Sequence, residues 1–233
     1  MIELERRGEV FVLHMRAGEN RINQPFLDAF NHALDEVERS EGAGALVTTG
    51  EGRFYSTGLD LEWLSGDGKG KAAELLTELH HVFARLLTFP MATVAAVNGH
   101  AFAAGAMLAL AHDSRVMRAD RGYFCLPEID LAMGQPLTPG MYALLKARLP
   151  PQILHEALIT GRRYGGVEAM ARQLVHDAVS EKEVVPRAIE IAGGLAGKDR
   201  ATMAALKRGL FASALEVLDN PAPEPPEGTQ LRV

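Results

Sequence analysis

The chain has 233 residues, 47% of them hydrophobic and 23% charged, which is enough to bury a sizeable core in one large or two small domains. A net charge of −6 excludes a general nucleic-acid or anionic-membrane binder, because both reward a basic surface. The single cysteine, Cys125, excludes an internal disulfide, and no Cys/His cluster has metal-ligand spacing.

In chain order, MIELERR and GEVFVLHMRA (8–17) read as an opening pair of strands, the second alternating and rich in Val, Phe and Leu. Residues 22–40 place Phe26, Phe30, Leu34 and Val37 at helical spacing, and GALVTTG (44–50) is a short β-rich run. Residues 70–89 form a long helix with Leu75, Leu79, Val82 and Leu86 on one face, stopped by Pro90. In 92–120, TVAAV is a buried strand, AAGAMLALAHD an alanine-rich helix and SRVMRAD a further strand, the order of a crossover unit. The segments 139–148, 151–160, 166–172, 183–197 and 199–218 read as helices, and NPAPEPPEGTQLRV is a proline-rich tail. The pattern is mixed α/β, strand–strand–helix followed by helices.

Two stretches share a design. RFYSTGLDLEWL (53–64) carries a small-residue turn, Ser56-Thr57-Gly58, before Asp60, and NGHAFAAGAML (98–108) carries Ala103-Ala104-Gly105 where a helix opens. Small residues let backbone N–H groups approach a ligand unobstructed, and donors at a helix start favour negative charge. Two such turns facing each other would make an oxyanion hole; tight packing alone would use the same residues. A third stretch, FCLPEIDLA (124–132), sets Glu128 among Phe124, Leu126 and Ile129, which would desolvate the carboxylate and raise its pKa; a helix or turn cap is the other reading.

FYSTGLDL, AAVNGHAFAAGAMLALAHD and YFCLPEIDLAMGQP, in that order, resemble the crotonase superfamily, the enoyl-CoA hydratase/isomerase family, over about residues 1–215. The resemblance implies an α/β fold, a spiral of strand–strand–helix units with a C-terminal α-helical trimerisation region, and an acyl-CoA thioester as substrate rather than a bound cofactor. It implies a spiral core over 1–165, a helical region over 166–219 and a loose tail over 220–233. Carried onto this chain, the oxyanion donors are the backbone N–H groups of Leu59 and Ala104, and the substrate-contacting turn is Ser56 to Asp60, with Thr57 and Gly58 inside it. Gly105 and Met107 follow the second donor, and the family's PE glutamate is Glu128. No metal or redox cofactor is implied, and the expected assembly is a homotrimer or dimer of trimers.

The sequence departs from the family's hydratases at Met107, where they carry a second glutamate. Asp113 lies six residues on, about 240° around the helix at roughly 100° per residue, and points elsewhere. One carboxylate suffices to move a double bond from 3-enoyl-CoA to 2-trans-enoyl-CoA, taking a proton at C2 and returning it at C4. Isomerases of the family, the plant type in particular, resemble that arrangement. The rivals are an enoyl-CoA hydratase or other crotonase-type enzyme, and a non-catalytic acyl-CoA-binding trimer.

Other residues carry weaker readings. His80-His81, being adjacent, cannot chelate as an i, i+4 pair, and His100 and His112 read as structural. A nucleophilic serine is missing from GHAFAAG, Cys125 reads as a small buried hydrophobe, and Asp130 as a loop stabiliser. Arg162, Arg163, Lys69 and Lys71 suit either a solvated face or CoA phosphates. Met107, Leu108 and Leu110 suit either an acyl pocket or core. The opening residues have no leader pattern, no apolar run reaches membrane-spanning length, and LRV is no address signal, so a soluble cytoplasmic location without membrane partners is expected.

Overall fold

The computed structural model describes residues 2–131 and 137–222. Two sheets organise it, with elements numbered in chain order. The long sheet has the order β1 (Ile2–Arg7), β2 (Val10–Met15), β3 (Ala45–Thr49), β5 (Ala92–Val97), β7 (Ser114–Arg118), β9 (Asp177–Val179). Only β1 and β2 are antiparallel, and every later neighbour is parallel. The short sheet, β4 (Phe54–Ser56), β6 (His100–Phe102) and β8 (Phe124–Cys125), is wholly parallel.

Each central strand of the long sheet feeds one of the short sheet, β3 to β4, β5 to β6 and β7 to β8, so the chain winds as a spiral. Helices make the returns. α1 (Gln24–Arg39) joins β2 to β3; α2 (Leu61–Ser65) and α3 (Ala72–Leu87) lead from β4 to β5, and α4 (Ala104–Leu110) from β6 to β7. After β8 come α5 (Pro139–Arg148), α6 (Pro151–Thr160) and α7 (Gly166–Ala171), then β9, α8 (Val184–Gly193), α9 (Arg200–Leu210) and α10 (Ala212–Leu218).

Alternation in the strands explains the layers. In β2, Val10 and Val12 face one cluster while Phe11, Leu13 and Met15 face the other. The first cluster is covered by the small stripe Ala188, Ala192 and Ala196, whose four-residue spacing lets α8 lie close on the sheet. The second is the main core, between the long sheet, the short sheet and helices α1, α3, α4 and α5. Because the central strands are buried on both faces, β5 (ATVAAV) is buried throughout and apolar except for Thr93, rather than alternating. α1 starts where the Asn23 side chain accepts the Phe26 N–H at 3.0 Å and buries Phe26, Phe30, Leu34 and Val37.

The helices and long strands lie where the sequence puts them, within two residues at most ends. The helix expected over 199–218 is broken at Phe211 into α9 and α10. The alanine-rich helix expected to reach Asp113 stops at Leu110. Strands β4, β6, β8 and β9 are additional, each only two or three residues long and too short to show a period of two. Residues 132–136 and 223–233, with most of the proline-rich tail, lie outside the described residues.

Candidate active site

Three turns leave the C-terminal ends of β4, β6 and β8, which are hydrogen-bonded neighbours. The first carries Ser56 to Asp60, the second Ala103 to Gly105, the third Glu128. The sequence resemblance selects these same three stretches, and the short sheet brings them together.

The first turn is clamped by its neighbour segment. Asn20, fully buried at φ 50°, donates from Nδ2 to the Tyr55 carbonyl at 2.9 Å and accepts the Ser56 hydroxyl on its own carbonyl at 2.8 Å. The Thr57 N–H donates to Glu19 O, Ile22 N–H to Gly58 O, and Asp60 N–H to Ile22 O. Gly58 stands at φ 94°, the left-handed region, and a Cβ there would sit 3.1 Å from the Ala104 nitrogen and from the Ala103 methyl. The first and second turns are thus in direct contact. A Cβ on Gly105 would collide with the Ser56 carbonyl, so only glycine lets α4 start against β4.

The backbone N–H groups of Leu59 and Ala104 donate to no acceptor among the described residues. Ala103, ahead of α4, is held at φ 49°, ψ −126°, its own N–H donating to Cys125 O at 3.1 Å. That bond ties the second turn to the third.

Glu128 opens a 3-10 turn (Glu128–Leu131) three residues beyond β8 and is 5% exposed. It is the only buried acid among the described residues. Its Oε2 has no hydrogen-bond partner there, and burial pushes its pKa up to about 7, against a smaller opposing pull from its own backbone N–H. Phe124 and Leu126 are buried beside it in the chain as expected, but Ile129 is 52% exposed and shields nothing. Met107, one turn into α4, is buried, with its N–H donating to Ala103 O.

Two of the expected substrate-contacting side chains are committed to holding the turn. Asp60 caps α2, accepting the Trp63 N–H at 3.1 Å and Asn23 Nδ2 at 2.9 Å, and the Ser56 hydroxyl bridges Asn20 O and Gly58 N. Asp113 lies three residues past the end of α4, its carboxylate bound to Thr93 and to Lys207 Nζ at 2.6 Å. His112 is buried between Thr48 and Leu108 O, and His80 against Thr138. His100 lies among the rings of Phe54, Phe102 and Tyr123, tilted 37–50° to each. Arg162 is held by Glu156 and Glu168, while Arg163 lies over the Phe102 ring. Among the described residues no group of three His, Cys, Asp or Glu side chains could hold a metal ion, and no helix is long and apolar enough to cross a membrane. Asn20 is the contributor that sequence reading missed; a buried residue in the left-handed region is an Asn habit, and GEN in a loop is the only trace of it.

A buried carboxyl with a raised pKa on the third turn, and unpaired backbone N–H groups on the first and second, are groups of the kind that can remove a proton next to a carbonyl and receive its oxygen. The sequence model of the enoyl-CoA hydratase/isomerase family matches residues 5–220. Enoyl-CoA delta isomerase 3 of Arabidopsis thaliana is 33% identical over 229 residues, covering 94% of this chain and 95% of that protein. A solved apo structure described as a Mycobacterium tuberculosis enoyl-CoA isomerase superposes with a TM-score of 0.85 at 29% identity, covering 93% of each chain. A second M. tuberculosis structure, described as a probable enoyl-CoA hydratase, has a TM-score of 0.86 at 30% identity, covering 93% of this chain and 91% of that one. The spiral is the crotonase fold, and the chain belongs to the enoyl-CoA hydratase/isomerase family.

Proposed function

We propose that the protein is an enoyl-CoA isomerase that moves a double bond from 3-enoyl-CoA to 2-trans-enoyl-CoA. The observation that carries this reading is that Glu128 is the one buried acid among the described residues, while Met107 occupies the place from which a second carboxylate would act. Water addition in the family scheme uses two acidic groups; a 1,3-proton shift needs one.

In this scheme the thioester oxygen lies between the Leu59 and Ala104 N–H groups. Glu128 takes the C2 proton, the electron pair of that C–H bond moves toward the carbonyl, and a dienolate forms with its charge on the oxygen. The two donors stabilise that charge; loss of one such donor costs roughly 2.7–4 kcal/mol of barrier. Glu128, now a carboxylic acid, delivers the same proton to C4, the double bond settles between C2 and C3, and the enzyme is regenerated. A carboxyl pKa of about 7 suits both halves, because the group accepts and returns a proton with little bias near neutral pH. Glu128 is the catalytic residue, Gly58 and Gly105 keep the donors close, and Met107 contributes an apolar wall. The CoA thioester is the substrate, with no separate cofactor. A homotrimer and a cytoplasmic location complete the proposal.

The test is a spectrophotometric assay of the purified protein with 3-hexenoyl-CoA and, separately, 2-hexenoyl-CoA. Formation of the conjugated thioester from the first, lost in Glu128→Gln, with the second left unchanged, is the expected result. Consumption of 2-hexenoyl-CoA would establish a hydratase. Binding of both without turnover would establish an acyl-CoA binder.

A further inference from the structure

Three side chains, two on strands and one just past a helix, form a polar network inside the main core. Thr48 lies on β3, Tyr55 on β4 and His112 two residues past α4, and none has any measurable exposure. The Thr48 hydroxyl is 2.9 Å from the Tyr55 hydroxyl and 2.9 Å from His112 Nε2, while His112 Nδ1 is 2.8 Å from the Leu108 carbonyl. The protons can be assigned in only one way that satisfies every group. A carbonyl can only accept, so Nδ1 carries the imidazole proton and Nε2 is an acceptor. Thr48 must donate to Nε2, which leaves its oxygen to accept from Tyr55. Burial keeps the ring neutral by lowering its pKa to about 4 and keeps the phenol protonated.

The network joins the two elements that bear the donors of the oxyanion site. Tyr55 immediately precedes Ser56, whose carbonyl presses on Gly105, and Leu59 follows three residues later. His112 bonds back to Leu108, in the last turns of the helix that begins at Ala104. The distal end of that helix is gripped further: Arg115 and Arg148 donate to the Leu110 and His112 carbonyls, and Arg148 also to Asp113 O. Where the end of β4 meets the start of α4, at Ser56 on Gly105 and Gly58 on Ala103, the contact is van der Waals and glycine-lined, and the β4–β6 pairing just before it is irregular between Phe54 and Ser56. The hydrogen bonds through Thr48 are directional and buried, where a lost partner is costly.

We propose that Thr48, Tyr55 and His112 are positioning residues that set the separation of the Leu59 and Ala104 N–H groups by locking β4 and α4 to β3. This rests on the reading of those two groups as the thioester oxyanion hole. Their effect is therefore on the polarisation of a bound thioester carbonyl and on turnover, more than on affinity, because the three side chains are fully buried and touch no ligand themselves.

The experiment uses the full-length protein and two readouts: kcat and KM with 3-hexenoyl-CoA, and the carbonyl stretch of bound 2,4-hexadienoyl-CoA by difference Raman spectroscopy. Thr48→Val preserves shape and removes the hydroxyl; Thr48→Ser restores it. The valine variant is expected to lose about tenfold in kcat with KM within about twofold, and to lose at least half of the carbonyl downshift, with serine recovering both. Wild-type kcat and downshift in the valine variant, with only the melting temperature lowered, overturn the proposal. If the valine variant does not fold, Tyr55→Phe decides, since it removes only the terminal hydroxyl. A threefold or larger fall in kcat with a reduced downshift supports the proposal, and wild-type values overturn it. A wild-type protein that polarises the carbonyl but isomerises nothing refutes the isomerase reading and leaves the positioning inference to the Raman arm. A wild-type protein that leaves the carbonyl unshifted overturns the inference itself.

Discussion

Replacing Glu128 by glutamine should make the protein more stable at pH 8 and leave it unchanged near pH 4. The folded carboxyl has a pKa of about 7 where its ordinary value is 4.5, and the cause is burial. A group with a raised folded pKa holds its proton more tightly in the folded than in the unfolded chain. The stability it allows is fully present below about pH 4.5, falls as pH rises, and is lost once pH passes about 7. Two to three pKa units at 1.36 kcal/mol each give a penalty of about 3 kcal/mol at pH 8. Glutamine has the size of the protonated acid and never ionises, so it escapes that penalty. For a chain of this length about 3 kcal/mol corresponds to roughly 6–12 °C in melting temperature. Thermal melts of both proteins from pH 4 to 8 isolate the effect, since every other titrating group cancels in the difference. An equal difference at both ends of the range, or no gain at pH 8, would refute the assignment of Glu128 as a desolvated acid. In the kinetics the same ionisation should appear as a rise in wild-type kcat/KM through about pH 7, as the base form accumulates.

Gly105→Ala should lower kcat at least a hundredfold and cost roughly 1–3 kcal/mol of stability, because the added methyl meets the Ser56 carbonyl and pushes the two donor turns apart; steady-state kinetics and a thermal melt check both. Ala103→Gly should raise stability by about 1 kcal/mol, since φ 49° strains alanine and not glycine; a lower melting temperature would contradict this. Met107→Glu should destabilise by about 3 kcal/mol through burial of an unpaired acid and confer measurable water addition to 2-hexenoyl-CoA. A variant that folds but still ignores that substrate would show that the missing second acid is not what distinguishes the two reactions.

The long amphipathic elements were legible because their pattern spans several turns: Phe26 to Val37 and Leu75 to Leu86 each repeat at helical spacing, and both faces are buried as read. The short sheet was not legible. Phe54–Ser56, His100–Phe102 and Phe124–Cys125 are too brief for alternation, and their pairing depends on partners some 20 to 50 residues away. Glu128 could be singled out because a carboxylate between Leu126 and Ile129 violates the local apolar pattern, although Leu126 is what stays buried and Ile129 turns outward. Asp60 has a structural role that its neighbours in sequence do not announce. A charged residue beside a glycine turn looks like a ligand contact, and the structure uses it to start α2. The network of Thr48, Tyr55 and His112 has no local signature at all, since its members are separated by up to 64 residues.

The parallel short sheet has a consequence for how such a site can change. Its strands end side by side, about 4.8 Å apart, and each ends in one ingredient: a donor after β4, a donor after β6, an acid after β8. A mutation in one turn alters one ingredient while the strand beneath it, paired on its neighbour, keeps the others in place. Met107 stands outside that row, on α4 one turn beyond Ala104. On the proposed reading the fold is a rack of exchangeable parts, in which a change at one loop tip leaves the groups on the other two where they stand.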